Sequence, residues 1–111
     1  MYSVNAYVAA DLAELRLVFA NDDPSFAAAI AAIAQALARA LVTPDSCGIA
    51  LGHGLAPWRR SAFPSRVGGE TDLRLIFRAR DPRGLDLLAF GVWFAADTTS
   101  VYRVVRKRLD R

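Results

Sequence analysis

Residues 73–111 read LRLIFRARDPRGLDLLAFGVWFAADTTSVYRVVRKRLDR, and this stretch decides the fold. Its first part alternates, with Leu73, Leu75 and Phe77 on one face and Arg74, Arg78 and Arg80 on the other. A period of two is typical of a half-buried strand. Asp81-Pro82-Arg83-Gly84 then predicts a hairpin turn, because proline presets φ and glycine accepts a positive φ. Residues 85–94 are apolar almost throughout, which predicts a central strand covered on both faces.

The last part of this stretch changes to a helical period. Asp97-Thr98-Thr99-Ser100 offers several N-cap side chains. Valines and a leucine recur afterwards at helical spacing, and cations crowd the last turns, where the helix dipole favours them. We therefore expect a basic, one-sided helix that lies against a sheet.

The remaining chain supplies a helical hairpin and further strands. Asp23 is a possible cap, and Pro24 fits the first helical position of the longer helix. The predicted elements are a strand at 2–8, helices at 10–19 and 26–41, a loop at 44–57 along one edge, a strand at 58–63 and a connection at 64–72. We expect Phe26, Ile30, Ile33, Leu37 and Leu41 to form the buried seam of the second helix. The order β-α-α-β-β-β-α over residues 1–111 predicts one small α+β domain, its helices packed on one face of a twisted antiparallel sheet.

The composition excludes several classes of protein. At 111 residues, 54% of them apolar, the chain is long enough for one core. We find no apolar run of bilayer length and no secretory signal pattern, so we expect a cytoplasmic protein. The lone Cys47 cannot form an internal disulfide, and one cysteine with one histidine rules out an ordinary structural zinc site. We expect neither metal nor cofactor.

The charge is divided unevenly along the chain. Residues 1–55 hold two cations and five acids, a net charge of −3, whereas residues 56–111 hold twelve cations and six acids, a net charge of +6. A basic second half indicates a polyanion or an acidic partner. The alternative is that these arginines only make an apolar chain soluble.

Four local motifs resemble the RelE/ParE superfamily, the toxins of type II toxin–antitoxin systems. They are Trp58-Arg59-Arg60, the strand Asp72-Leu73-Arg74-Leu75-Ile76-Phe77-Arg78, the apolar run from Leu85 to Gly91, and Val101-Tyr102. The resemblance covers nearly the whole chain and implies a RelE-like fold. It also implies a cytoplasmic prokaryotic toxin that a cognate antitoxin protein binds and silences.

For RelE-type members the resemblance implies a ribosome-dependent mRNA endoribonuclease, or mRNA interferase, that inhibits translation. Its chemistry needs no metal, because an RNA 2′-OH attacks the adjacent phosphate while basic residues stabilise the developing charge. Arginine suits this role, since its planar fork binds phosphate oxygens and stays charged. A tyrosine near the C-terminus assists by proton transfer or by base stacking.

The resemblance places catalytic roles on Arg59, Arg60, Arg66 and Tyr102. Contacts to substrate RNA are expected from Arg74, Arg78, Arg80 and Arg103, with Arg74 more structural than catalytic. If the strands pair as predicted, five arginines gather in one concave area, namely Arg59, Arg60, Arg66, Arg78 and Arg80. The plainer interpretation is a solvated sheet face.

Two departures keep other functions open. The RelE branch carries lysines on the second strand, one of them a candidate base, whereas this chain has arginines, which do not deprotonate near neutral pH. Residues 92–100 also lack the arginine that active members carry there. The alternatives are a ParE-like toxin that binds DNA gyrase without catalysis and a degenerate, non-toxic member. His53 is either a general base or a loop residue, and Trp93 and Phe94 are either an exposed surface or the end of the buried strand.

Overall fold

The computed structural model describes residues 2–3, 7–52, 54–80, 84–93 and 98–109. Its elements are β1 (Tyr2–Ser3), α1 (Val8–Val18), α2 (Asp23–Val42), β2 (Ile49–Ala50), β3 (Arg59–Phe63), β4 (Leu73–Ala79), β5 (Leu85–Val92) and α3 (Thr98–Leu109). The predicted α+β class is confirmed. The turn residues 81–83, the end of the predicted apolar strand at Phe94 and the possible cap Asp97 lie outside the described residues.

The sheet has the order β1-β5-β4-β3-β2. Strands β2 to β5 are antiparallel to their neighbours, and β1 pairs with β5 in parallel. Strand β2 was not predicted, because it lies in the glycine- and proline-rich stretch that we expected to be a loop at the sheet edge. Only two of its residues pair with β3, which is too short a run for a period of two to be visible in the sequence.

A β-bulge in β5 explains why that strand is apolar on both sides. Ile76 of β4 pairs with Ala89, but the next residue, Phe77, pairs with Leu87, so Leu88 is the extra residue. Leu87 then joins the core beneath α1 and α2, whereas Leu88 joins a second core on the opposite face. The prediction that this strand is covered on both faces is therefore confirmed within Leu85–Val92, although β4, and not β5, is the middle strand of the sheet.

Helix α2 packs on the sheet through alanines rather than through its large side chains. Ala29, Ala36 and Ala40 are fully buried together with Ile33. The seam prediction therefore holds for its middle member, Ile33, whereas its other four members are only partly buried and pack at the margin of this core. Alanines occupy most of the contact positions because their small side chains let the helix backbone approach the sheet closely.

The start of each hairpin helix also differs from the prediction. Helix α1 begins at Val8, two residues earlier than expected and inside the stretch predicted as a strand. Asp22, not Asp23, caps α2: its Oδ1 accepts a hydrogen bond of 3.1 Å from the Ser25 N–H. Pro24 is consequently the second residue of the helix, one position later than predicted.

Helix α3 lies on the face opposite to α1 and α2, so the expectation of helices on one face only is wrong. Its Val105 is fully buried in the second core with Trp58, Ile76 and Leu88. The hydrophobic pattern of α3 predicted this packed side in part, since Val105 is buried and Val104 is partly buried, whereas Leu109 is exposed. It carried no information on which side of the sheet the stripe would meet.

A buried ion pair fastens α3 to α1 across the end of β5. The Arg108 guanidinium donates to both carboxylate oxygens of Asp11, at 2.7 and 2.8 Å, and to the Leu88 carbonyl at 3.0 Å. The Phe90 N–H donates to the same carboxylate at 3.2 Å, and the Arg108 guanidinium lies 4.4 Å from the Tyr7 ring centre. The two charged side chains are only 8% and 15% exposed.

The described chain forms a compact unit with a radius of gyration of 13.3 Å, as a soluble protein does. Of the described helices, α2 alone is long and apolar enough to cross a membrane by length and composition. This contradicts the expectation that no stretch reaches that length. The core helix of a soluble protein meets the same test, and the alanine stripe of α2 is packed against the sheet.

Candidate functional site

A cationic groove lies on the face of the sheet opposite to α2, at the edge where β2 ends. The register pairs Ala62 of β3 with Arg74 of β4, and Arg60 lies on the same face two residues before Ala62. Gly48 and Ile49 form the outer wall of the groove, which has a volume of about 320 Å³. The small side chain of Ala62 leaves this space open between the two arginines. We call these five residues the cationic groove.

Arg74 is a buried cation that the sequence pattern placed on the wet side of its strand. It is 3% exposed and donates to two carbonyl oxygens, those of Thr71 and Leu73. Burial lowers the pKa of Arg74, and the like charge of Arg60 lowers it further, while Asp72 opposes both effects. Arginine nevertheless remains protonated in proteins. Its charge therefore adds to the positive potential of the groove.

Arg60 has no carboxylate in contact with it among the described residues. It is half-buried and close enough to Arg74 for the two charges to repel. Two cations at one groove, one of them buried and neither ion-paired in the described structure, leave a local excess of positive charge. An anion with several oxygens, such as a phosphate or a carboxylate, would relieve that repulsion.

Arg78 and Arg80 share one carboxylate of the neighbouring strand, which offsets one of their two charges. Asp86 Oδ2 lies 2.9 Å from the Arg78 Nε, and Asp86 Oδ1 lies 3.6 Å from Arg80. Arg78 also stacks over the Trp58 ring, 4.6 Å from its centre. It shares the face of Arg60 and Arg74 but is already bound on two sides.

Arg59 and Arg66 lie elsewhere, so the prediction of five arginines in one concave area is wrong. Arg59 points to the opposite face, where it donates to the carbonyls of Cys47 and Gly48 at 2.9 and 3.0 Å. Arg66 donates to the Ser25 hydroxyl at the start of α2. Adjacent residues of a strand point to opposite faces, and this alternation separates Arg59 from Arg60.

Tyr102 lies on the face of the groove, where α3 approaches the loop before β3. Its hydroxyl accepts a hydrogen bond of 3.3 Å from the Gly52 N–H, and its half-buried ring packs on the second core. Arg103, the next residue, is exposed. Of the eight predicted site residues, the structure brings Arg60, Arg74, Arg78 and Tyr102 onto one face.

The sequence did not identify the wall of the groove. Gly48 has a φ of +69°, and a Cβ at this position would lie 2.1 Å from the Arg60 carbonyl oxygen. Only glycine allows the chain to pass this close to β3 in that conformation. The sequence signal for this wall is a glycine followed by two apolar residues, Gly48-Ile49-Ala50, and that pattern is too common to identify an edge strand. Trp93 is half-buried against the second core, whereas His53 is outside the described residues.

No family model, curated protein or solved structure matched this chain in the comparisons with known proteins.

Proposed function

We propose that this chain is the toxin of a type II toxin–antitoxin system, of the RelE/ParE superfamily, and that it cleaves mRNA on the ribosome. One observation supports the proposal most: the cationic groove holds two arginines, Arg60 and Arg74, and neither forms an ion pair among the described residues. The RelE-like assignment itself rests on the four sequence motifs, and the α+β class with a helical hairpin packed on one face of the sheet agrees with it. The proposed compartment is the prokaryotic cytoplasm.

The proposed reaction is a transesterification, in which the phosphorus between two nucleotides exchanges its bond to the 5′ oxygen of the second nucleotide for a bond to the 2′ oxygen of the first. The 2′-OH passes its proton to solvent water as its oxygen attacks phosphorus, a 2′,3′-cyclic phosphate forms, and the bond between phosphorus and the 5′ oxygen breaks as that oxygen takes up a proton. Arg60 is proposed to bind the phosphate oxygens bidentately, and the buried charge of Arg74 adds to the stabilising field. Arginine does not exchange its proton at neutral pH, so the Tyr102 hydroxyl is the proposed general acid that donates a proton to the leaving 5′ oxygen.

Mapping mRNA ends on translating ribosomes tests this proposal. We expect the purified chain to produce new 5′ ends within the ribosome-bound message. Arg60→Ala should lower the cleavage rate on the order of 100-fold, as the loss of one transition-state contact commonly does. Arg16→Ala, which removes an exposed charge on α1, is the matched control and should cleave like the wild type.

Absence of cleavage by the wild type would contradict the proposed reaction. Equal cleavage by the wild type and Arg60→Ala would remove the cationic groove from the mechanism. A Tyr102→Phe variant then separates two roles of the tyrosine, because it deletes the hydroxyl and keeps the ring. A full-rate Tyr102→Phe variant would exclude proton transfer by this group.

The second candidate is a ParE-like toxin that binds DNA gyrase without catalysis. Two observations favour it: Arg59 and Arg66 are used in structural contacts, and the end of α1 exposes Leu17 by 70% and Val18 by 56%. Exposed apolar side chains of this size are common at protein–protein contacts. A supercoiling assay with purified gyrase decides between the candidates, since unchanged supercoiling excludes this one. A chain inactive in both assays would be a non-toxic member of this fold.

A further inference from the structure

The outer edge of β3 is only partly covered. The Leu51 N–H donates to the Trp58 carbonyl at 2.9 Å, and β2 continues the pairing at Arg59 and Arg60. In an antiparallel ladder the outward backbone groups belong to every second residue, here 58, 60 and 62. The pairing with β2 stops at Ile49, the first residue of β2, which lies opposite Arg60. The N–H and C=O of the exposed Ala62 therefore face outward, and no described residue pairs with them.

Two grooves flank this open edge, one on each face of the sheet. The first is the cationic groove, which includes Ala62 itself. The second has a volume of about 540 Å³ and lies between α2 and the residues that follow Ala62. Its floor is apolar, with Ala28, Ala31 and Ala32 on α2 and Phe63 on β3, and Arg39 and Arg66 also line it. We call it the alanine groove.

We propose that this edge accepts an extended segment of a partner protein as an additional strand, with acidic side chains in the cationic groove and apolar side chains in the alanine groove. The proposal that this edge and its grooves bind a partner does not require that the chain cleaves RNA. The identification of this partner as the antitoxin rests on the proposed function, and it would place an acidic side chain of the segment beside Arg60, where it competes with RNA.

The pattern of the segment follows from strand geometry. A residue directly opposite Ala62 has its side chain on the same face as Ala62, within reach of Arg60. The next residue lies opposite Phe63 and points to the alanine groove, because side chains alternate between faces. The segment should therefore alternate acidic and apolar residues with a period of two. Main-chain hydrogen bonds to Ala62 supply affinity, and the two grooves supply specificity.

Charge excludes a second copy of this chain as the preferred occupant. Pairing of two β3 edges would bring the Arg60 and Arg74 of one copy near those of the other, and no carboxylate of the part of the chain that the structure describes forms an ion pair with either arginine. Like charges directly opposite one another destabilise a strand pair. An acidic partner instead relieves the repulsion that already exists between Arg60 and Arg74.

A labelled peptide of about eight residues that alternates glutamate and valine is the probe. We expect it to bind the wild-type chain in an anisotropy titration without ribosomes or RNA. Ala62→Pro should weaken binding on the order of tenfold, because proline removes the outward N–H. Proline is tolerated on an edge strand, and circular dichroism confirms that the variant is folded. Arg60→Ala should weaken binding to a similar extent.

Two altered peptides serve as controls on the unmodified protein, so the test does not depend on a variant that folds. N-methylation of the backbone at the residues that face β3 should abolish binding, since it blocks strand pairing and keeps every side chain. A peptide of the same composition with all glutamates before all valines should bind on the order of tenfold more weakly, since only alternation fills both grooves.

Three results would each overturn the inference. They are no binding of the alternating peptide, equal binding of the N-methylated peptide, and equal binding of the peptide with segregated residues. Equal binding of either altered peptide would show that the protein recognises the charge of the peptide and not its strand pairing or its alternation. This outcome is independent of the nuclease test: a chain that binds the alternating peptide and cuts no mRNA keeps the edge as a partner site and loses the proposed reaction.

Discussion

At the scale of single residues, the Asp11–Arg108 pair is the contact with the largest expected effect on stability. Both side chains are buried, and each satisfies a further backbone group of β5. Truncation of one partner leaves the other charge buried without compensation. We expect Arg108→Ala to lower the free energy of unfolding by about 3–5 kcal/mol. Urea denaturation followed by circular dichroism measures this change.

The control for this pair is Lys107→Ala, which removes an exposed cation from the preceding position of α3. It should change the free energy of unfolding by less than about 0.5 kcal/mol. A double-mutant cycle with Asp11→Ala isolates the interaction between the two charges. If Arg108→Ala is as stable as Lys107→Ala, the pair does not fasten α3 to α1.

The sequence could not predict this pair, because its members are 97 positions apart. The helical pattern predicted that Asp11 lies on the solvent-exposed face of α1, and that Arg108 is one of several exposed cations at the end of α3. Which surface charge becomes buried depends on how α1 and α3 meet at β5. Arg74 is a similar case, since strand alternation correctly placed it on the face opposite the α2 core but did not reveal its burial.

At the scale of secondary-structure elements, Gly48 decides whether β2 can lie on β3. Gly48→Ala adds a Cβ that meets the Arg60 carbonyl oxygen and forces a side chain into left-handed backbone. Gly54→Ala is the matched control, since Gly54 also has a positive φ but open space around the Cβ position. Left-handed strain alone costs about 1–2 kcal/mol. We expect Gly48→Ala to lose at least about 1 kcal/mol more than the control, because overpacking adds to that strain.

Thermal or urea unfolding of both glycine variants measures the difference. Amide hydrogen exchange gives a second readout, since the Leu51 N–H that bonds Trp58 should exchange faster in Gly48→Ala only. Equal losses in the two variants would show that the close approach of Gly48 to β3 contributes nothing to stability.

The cap of α2 predicts a pH dependence. Hydrogen bonds from the Ser25 hydroxyl and N–H hold the pKa of Asp22 below its ordinary value of 3.8, and Arg66 adds to this effect. A depressed carboxyl pKa stabilises the folded state above the unfolded pKa. This contribution is lost as the pH falls through the folded pKa, which lies below 3.8.

Asp22→Asn tests this dependence, because asparagine is an equally good cap that does not titrate in acid. The melting temperature of the wild type should fall toward, or below, that of Asp22→Asn as the pH drops from neutral to below 3.8. A constant difference between the two proteins across this range would show that Asp22 does not contribute through its charge.

The elements themselves were largely predictable, because most of them are long enough to show their period. Strands β3, β4 and β5 and the three helices follow from alternation and helical spacing. The failures occurred where a period was too short or ambiguous, as in the two-residue strand β2. In α2 the alanines fit any face, so only packing against the sheet identifies the buried one.

At the scale of the whole molecule, local patterns predicted the class of fold but not its arrangement in space. The side of the sheet on which α3 packs, and the separation of the site arginines, depend on register and crossover. The candidate site shows this best: Arg59, Arg60 and Arg66 are close in sequence but occupy three different surroundings. Of these three, Arg60 remains as the arginine of the groove.

Growth after tightly controlled expression in a host without the antitoxin tests the central claim that the cationic groove carries the toxic activity. We predict that the wild-type chain arrests growth and that Arg60→Ala relieves the arrest at equal protein level. The charge-matched control Arg16→Ala should arrest growth like the wild type. Growth without arrest for the wild type, or an arrest that Arg60→Ala does not relieve, would contradict the claim.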